Sequence, residues 1–147
     1  MRLFALRHGK AGDGFPDEVR ELTERGRRNV ADVIAQRDDE LLNIDLLLHS
    51  PLVRARETAE IVLQHMHIDP RVEESSLIKP GSDVEDFANY LAEVNEDVLI
   101  CTHNPFVADL VTYLSGKAVL MPTSSLAALE FDTPSRGNAR LLWLENP

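Results

Sequence analysis

The stretch Ile44-Asp45-Leu46-Leu47-Leu48-His49-Ser50-Pro51 decides the fold. The run Ile44–Leu48, apolar but for Asp45, reads as a strand covered on both faces, because a strand with one wet face would alternate apolar and polar residues throughout. Ser50-Pro51 then reads as a cap followed by proline at the first helical position, opening a helix to about Met66. A buried strand that feeds straight into a helix is the first half of a parallel crossover unit.

The same pattern recurs on both sides of this stretch. Towards the N-terminus, the apolar Leu3–Leu6 stops at Arg7-His8-Gly9, a strand ending in a loop. Lys10–Glu21 carries Gly12, Gly14 and Pro16 and is expected to be irregular. Thr23 is a helix N-cap, with Val30, Val33 and Ile34 following at helical spacing. Towards the C-terminus, Ser82-Asp83-Val84-Glu85 reads as a capping box ahead of Phe87, Tyr90, Leu91 and Val94. Val98–Cys101 is a second fully buried strand; Asn104-Pro105 repeats the cap-plus-proline signal, and Gly116 ends that helix. Two further strands, Leu126–Phe131 and Leu141–Leu144, are joined by the turn-rich Asp132–Asn138. Strand–helix units joined by long crossovers predict an α/β fold, a three-layer α/β/α sandwich around a mostly parallel sheet.

The chain of 147 residues has the size of one domain, taken as 1–147. With 15 Lys and Arg against 25 Asp and Glu its formal charge is −10, which argues against nucleic acid or an anionic membrane as partner. The single Cys101 excludes an internal disulfide, and its place inside an apolar strand makes it a core residue, not a nucleophile. No run approaches the ~18 apolar residues of a membrane span. Met1 to His8 turns polar too early for a signal peptide, so a cytoplasmic monomer is expected.

In open parallel sheets, ligands bind beyond the carboxyl ends of the strands. Three strands here end in polar residues: Arg7-His8-Gly9, His49-Ser50-Pro51 with Arg54 one helical turn on, and Thr102-His103-Asn104-Pro105. Phosphate suits this collection. Arginine grips phosphate oxygens with a planar fork that keeps its charge, and helix starts at Ser50 and Asn104 would add free N–H groups. A neutral histidine oriented through its other ring nitrogen can attack phosphorus, and a second can stabilise the transferring oxygens. Gly9 would let the backbone approach the anion. Arg54, Thr58 and Ile61 share one helical stripe, whereas Arg56 lies about 200° around the helix and is placed to pair with Glu60.

Arg7-His8-Gly9, Leu22-Thr23-x-x-Gly26, Ser50-Pro51-x-x-Arg54-Ala55-x-x-Thr58-Ala59 and Thr102-His103-Asn104-Pro105 together resemble the histidine phosphatase superfamily, which includes the phosphoglycerate mutases. Small size, Lys79-Pro80-Gly81-Ser82-Asp83 and Pro122-Thr123-Ser124-Ser125 look most like its SixA-type phosphohistidine phosphatases. The resemblance implies a phosphoglycerate-mutase-like fold, His8 as nucleophile, and Arg7, Arg54 and His103 as the rest of the phosphate pocket. It adds Arg20 as a further basic residue, and implies neither metal nor cofactor. Larger members carry an acidic residue as general acid; Glu73 and Glu74 lie in roughly the right region. The implied substrate is protein phosphohistidine, for example on a phosphotransfer domain. A small-molecule phosphomonoesterase or a non-catalytic phosphate-binding module are the alternatives. His49, His65 and His67 read as structural or surface residues. The Arg25, Arg27, Arg28 run reads as a solvated helix face or a partner-docking patch.

Overall fold

A computed structural model describes residues 1–147. Its centre is a six-stranded sheet in the order β3-β2-β4-β1-β5-β6. The strands are β1 (Arg2–Arg7), β2 (Leu46–His49), β3 (Arg71–Glu74), β4 (Val98–Thr102), β5 (Leu126–Glu130) and β6 (Arg140–Glu145). The first four run parallel, and β5 is antiparallel to both of its neighbours.

Period-two alternation on β1 divides the interior. Leu3 and Ala5 point to one face, where α4 (Val84–Val94) and α5 (Phe106–Ser115) cover them with Phe87, Leu91, Phe106 and Leu110. Phe4 and Leu6 point to the other, against Val30 and Ile34 of α1 (Glu24–Gln36) and Val62 of α3 (Val53–Met66). The short α2 (Asp38–Leu41) adds Leu41 to that side. The expected three layers are therefore present.

The topology places the site. From β1 the chain leaves towards the α1 face, and from the adjacent β4 it leaves towards the α5 face. The loops after these neighbouring strands diverge, opening a crevice at their carboxyl ends where the direction of winding switches.

Several helix starts differ from the sequence reading. Thr23 caps α1 as expected, accepting from the Gly26 N–H at 2.9 Å. Ser50-Pro51 does not open α3: Leu52 is the cap position and Val53 the first helical residue, and the Ser50 hydroxyl is shared between the Leu52 N–H and His103. Likewise Pro105 is the cap position of α5, not its first residue, and the Asn104 amide reaches the Met121 carbonyl instead. The cap of α4 is Asp83, which accepts from the Glu85 and Asp86 N–H groups, while Ser82 bonds within the preceding turn, so the capping box is one residue out of register. The all-exposed β3 carries no apolar signal and was not expected as a strand.

Candidate active site

His8 follows β1 with its backbone pinned on both sides. Its N–H donates to the Thr102 carbonyl at 2.9 Å, and its carbonyl accepts from the Ser124 N–H at 3.0 Å. The ring Nδ1 lies 2.7 Å from the Gly9 carbonyl. A carbonyl can only accept, so Nδ1 carries the ring proton and Nε2 keeps its lone pair. That lone pair meets the Nε–H of Arg54 at 3.4 Å. The ring is buried, and its pKa falls to about 4: desolvation is the largest cause, the Gly9 carbonyl opposes it, and the charges of Arg54, Arg7 and Arg20 lower it further. At neutral pH the imidazole is uncharged, in the tautomer that leaves Nε2 unprotonated.

The Gly9 loop that sets this tautomer is itself held. The Gly9 N–H donates to Thr58 Oγ1 at 3.2 Å, and the Thr58 hydroxyl donates to the Arg54 carbonyl one helical turn back at 2.8 Å. The Gly9 N–H is thus taken by Thr58 and is not offered to an anion. Its lack of a side chain answers a packing need, since a Cβ there would lie 2.8 Å from the Gly26 carbonyl oxygen of α1. Gly26 faces the same contact from the other side, and a Cβ on it would collide with the Lys10 carbonyl.

Arg54 is 5% exposed, and its Nη1 and Nη2 contact the Asp17 carbonyl at 3.0 Å and the Asp17 carboxylate at 3.2 Å. Arg7 donates through Nη1 to the Met121 carbonyl at 2.9 Å, the same carbonyl that the Asn104 amide reaches. The Arg7 Nε is buried with no partner, and Arg7 pairs with no carboxylate. Its pKa is lowered by desolvation and by the neighbouring charge of Arg54. Two guanidinium groups thus share one crevice, and only Arg54 is in contact with a carboxylate, that of Asp17.

His103 sits across from His8, the ring centroids 5.0 Å apart. Its Nε2 is 2.5 Å from Ser50 Oγ, which also accepts from the Leu52 N–H. The Ser50 hydroxyl, with one proton and two lone pairs, serves Nε2 in either ring tautomer. The other ring nitrogen, Nδ1, is buried without a hydrogen-bond partner. Burial lowers the His103 pKa to about 3, helped by the charges of His8, Arg54 and Arg7 and opposed by Asp17.

The structure therefore brings His8, Arg7, Arg54 and His103 together. Arg20 is one contact further out, donating through Nε to the Asp17 carboxylate at 2.9 Å. Ser50 and Asn104 act behind this group: the Ser50 N–H is spent on the Cys101 carbonyl, its hydroxyl meets His103, and the Asn104 amide reaches the Met121 carbonyl. Glu73 and Glu74 are not brought to the pocket. Both lie on edge strand β3, three strand positions from β1 and so about 14 Å away in backbone, and Glu73 is paired to Arg71. His49 donates from Nδ1 to the Ser50 carbonyl, a structural contact.

Sequence reading missed three participants. Thr58 was visible only as a position on the Arg54 stripe. Glu57, 8% exposed, accepts from the Leu22 N–H and from Arg27, which anchors the far end of the Lys10–Glu21 loop, while Arg27 itself stays on the exposed face expected of it. Asp17 had no local signal at all, because its partner Arg54 is 37 residues away.

Residues 3–78 match the family model for the histidine phosphatase superfamily (branch 1). The chain belongs to this superfamily. It is 29% identical, over its whole length and 94% of the relative, to phosphohistidine phosphatase SixA of Escherichia coli K12. It also superposes on a structure of the protein histidine phosphatase SixA complexed with tungstate, with a TM-score of 0.90, 29% identity and coverage of 100% and 97% of the two chains. A SixA-like structure from Agrobacterium tumefaciens shares the fold at a TM-score of 0.84 and 23% identity, covering 99% and 97%. Over 46% of this chain and 24% of the relative, it is 41% identical to the mitochondrial serine/threonine-protein phosphatase Pgam5 of Drosophila ananassae. Within the superfamily fold, His8 and His103 occupy the crevice between the two central parallel strands.

Proposed function

We propose that the protein is a phosphohistidine phosphatase, removing the phosphoryl group from protein phosphohistidine by way of a transient phosphohistidine on His8. The observation that carries this reading is the state of His8: a neutral imidazole with its proton on Nδ1 and a free Nε2 beside Arg54. Nε2 attacks phosphorus, the P–N bond of the substrate breaks, and its electron pair returns to the departing nitrogen. Arg7 and Arg54 balance the charge on the phosphoryl oxygens, and His103 faces them from across the crevice, its ring centroid 5.0 Å from that of His8. Water then attacks the phosphohistidine, releasing inorganic phosphate and regenerating His8.

Similarity to the SixA proteins along the full chain supports this substrate class. So does the chemistry of the exchange. A substrate imidazole protonated on its distal nitrogen leaves as a neutral imidazole, and neutral His8 becomes the matching phosphoimidazolium. Donor and acceptor are equivalent, so the first step needs no proton donor to the leaving group. An alkoxide would need one, and the candidate acids Glu73 and Glu74 lie on the far edge strand.

The test is a hydrolysis panel of a phosphohistidine protein, N-phosphoimidazole and common phosphomonoesters. Acid-labile, alkali-stable label on His8 after rapid quenching is expected, with turnover of the P–N substrates abolished in His8→Ala and retained in the Glu73→Gln, Glu74→Gln double variant. Undiminished turnover in His8→Ala would refute the mechanism. Preference for monoesters, lost in the double Gln variant, would reassign the protein as a phosphomonoesterase.

A further inference from the structure

Asp17 is the one carboxylate in contact with the cluster of pocket arginines. Its Oδ2 lies 3.2 Å from Arg54 Nη2, the fork that would hold a phosphoryl oxygen, and its Oδ1 lies 2.9 Å from Arg20 Nε. The side chain is 59% exposed and stands on a short 3₁₀ turn, Asp17–Val19, so the fold does not need it for packing. Although desolvation opposes it, the charges and hydrogen bonds of Arg54 and Arg20 lower the pKa of Asp17, which is therefore ionised and no proton donor.

Asp17 also lines a groove of about 570 Å³ beside the pocket, together with Glu18, Leu52, Lys79 and Ser82. Leu52 is the cap residue of α3, two positions before Arg54, so the groove opens directly beside the phosphate fork. Its wall carries two carboxylates, Asp17 and Glu18, against the single ammonium of Lys79.

The geometry points to Asp17 as the residue that selects the leaving group, an inference that rests on the phosphatase reading above. Its carboxylate and a phosphoryl oxygen would compete for the same Nη2 of Arg54. An arriving phosphoryl group displaces Oδ2, while Arg20 keeps hold of Oδ1 and retains the carboxylate at the mouth. The freed Oδ2 then accepts from the distal N–H of an imidazolium leaving group and favours its protonated form. That protonation lets the P–N bond break with its electron pair going to the attached nitrogen, so that imidazole leaves neutral and keeps its distal proton. A neutral alcohol or phenol gains nothing from the same carboxylate.

The two halves of this role are separable. Displacement lowers the affinity of every oxyanion by the same factor, whatever is attached to it, because it reduces the fraction of open sites. Selection depends on the leaving group alone. Tungstate, which has no leaving group, reads the first; the ratio of kcat/KM for N-phosphoimidazole to that for phenyl phosphate reads the second. In Asp17→Asn, tungstate should bind about two- to fivefold more tightly by titration calorimetry, the scale of a solvent-exposed ion pair. The substrate ratio should fall about three- to tenfold, the scale of one charge contact in water. An unchanged tungstate dissociation constant overturns the proposal whether or not the protein turns over either substrate. Tighter tungstate with an unchanged ratio overturns it as well. Failure of the wild-type protein to hydrolyse N-phosphoimidazole or phosphohistidine would instead count against the phosphatase reading itself.

Discussion

The neutrality of His8 can be measured as stability. Burial depresses its pKa to about 4 from the ordinary 6.5, so the native state refuses a proton that the unfolded chain takes up. The stability tied to neutral His8 is complete above the unfolded value of 6.5 and is lost as the pH falls towards 4. At pH 7 both states are almost wholly deprotonated and the contribution is near zero. At pH 5 the unfolded histidine is charged and the folded one is not, which costs the native state about 2 kcal/mol. His8→Asn is the perturbation of choice, because the asparagine amide can still donate to the Gly9 carbonyl but cannot titrate. His103, also depressed, to about 3, titrates in both proteins and cancels in the difference. Urea unfolding at pH 7, 6 and 5, extrapolated linearly, should show wild-type stability falling relative to His8→Asn by about 2 kcal/mol across the range. If the two proteins lose stability in parallel, His8 is not held neutral by its surroundings, and the case for a ready nucleophile at Nε2 fails.

The support beneath the site gives two more expectations. Thr58→Val keeps the shape of a fully buried side chain but leaves the Gly9 N–H without an acceptor, so it should cost about 1–3 kcal/mol in urea unfolding. Because the Gly9 carbonyl orients His8, the same variant should lower kcat about tenfold while changing KM little; a loss confined to KM would separate the Thr58 contact from the nucleophile. Gly26→Ala, which in an ordinary helix would stabilise, should destabilise by about 2–3 kcal/mol through collision with the Lys10 backbone, and an unchanged or raised Tm would contradict the packing described for that loop.

What was legible in the sequence was whatever is specified locally. The apolar core of β1, the stop at Arg7-His8 and the i, i+4 stripe of Arg54 and Thr58 follow from periodicities that each element carries within itself. Two kinds of feature escaped. Edge strand β3 is formed by pairing with β2 and not by burying an apolar face, and Arg71, Val72, Glu73 and Glu74 are all exposed. Ser50 has the look of an N-cap because hydroxyls cap helices, but its hydroxyl goes to His103, 53 residues away, and only the tertiary fold brings the two together. Asp17 and Glu57 escaped for the same reason: each is defined by a partner 30 or more residues distant.

The net charge of −10 and a phosphate pocket are compatible because the charges are distributed unequally. In the crevice, two histidines are neutral, Arg7 faces no carboxylate, and Arg54 is matched by Asp17 alone. The positive charge of the two arginines is therefore half compensated before substrate arrives, and a phosphoryl dianion that displaces Asp17 matches both. An incoming monoanion would displace one negative charge and bring one, with no electrostatic gain. Around this pocket the acidic surface repels extended polyanions. Added salt should accordingly weaken two opposed effects, long-range repulsion of an acidic partner and short-range attraction of its phosphoryl group. The first acts between exposed charges over distances near the Debye length of ~10 Å, whereas the second acts within a mostly buried crevice, so moderate salt relieves the repulsion first. For an acidic phosphoprotein, kcat/KM would then rise before it falls as ionic strength increases, while for N-phosphoimidazole, which presents no extended acidic surface, it would only fall.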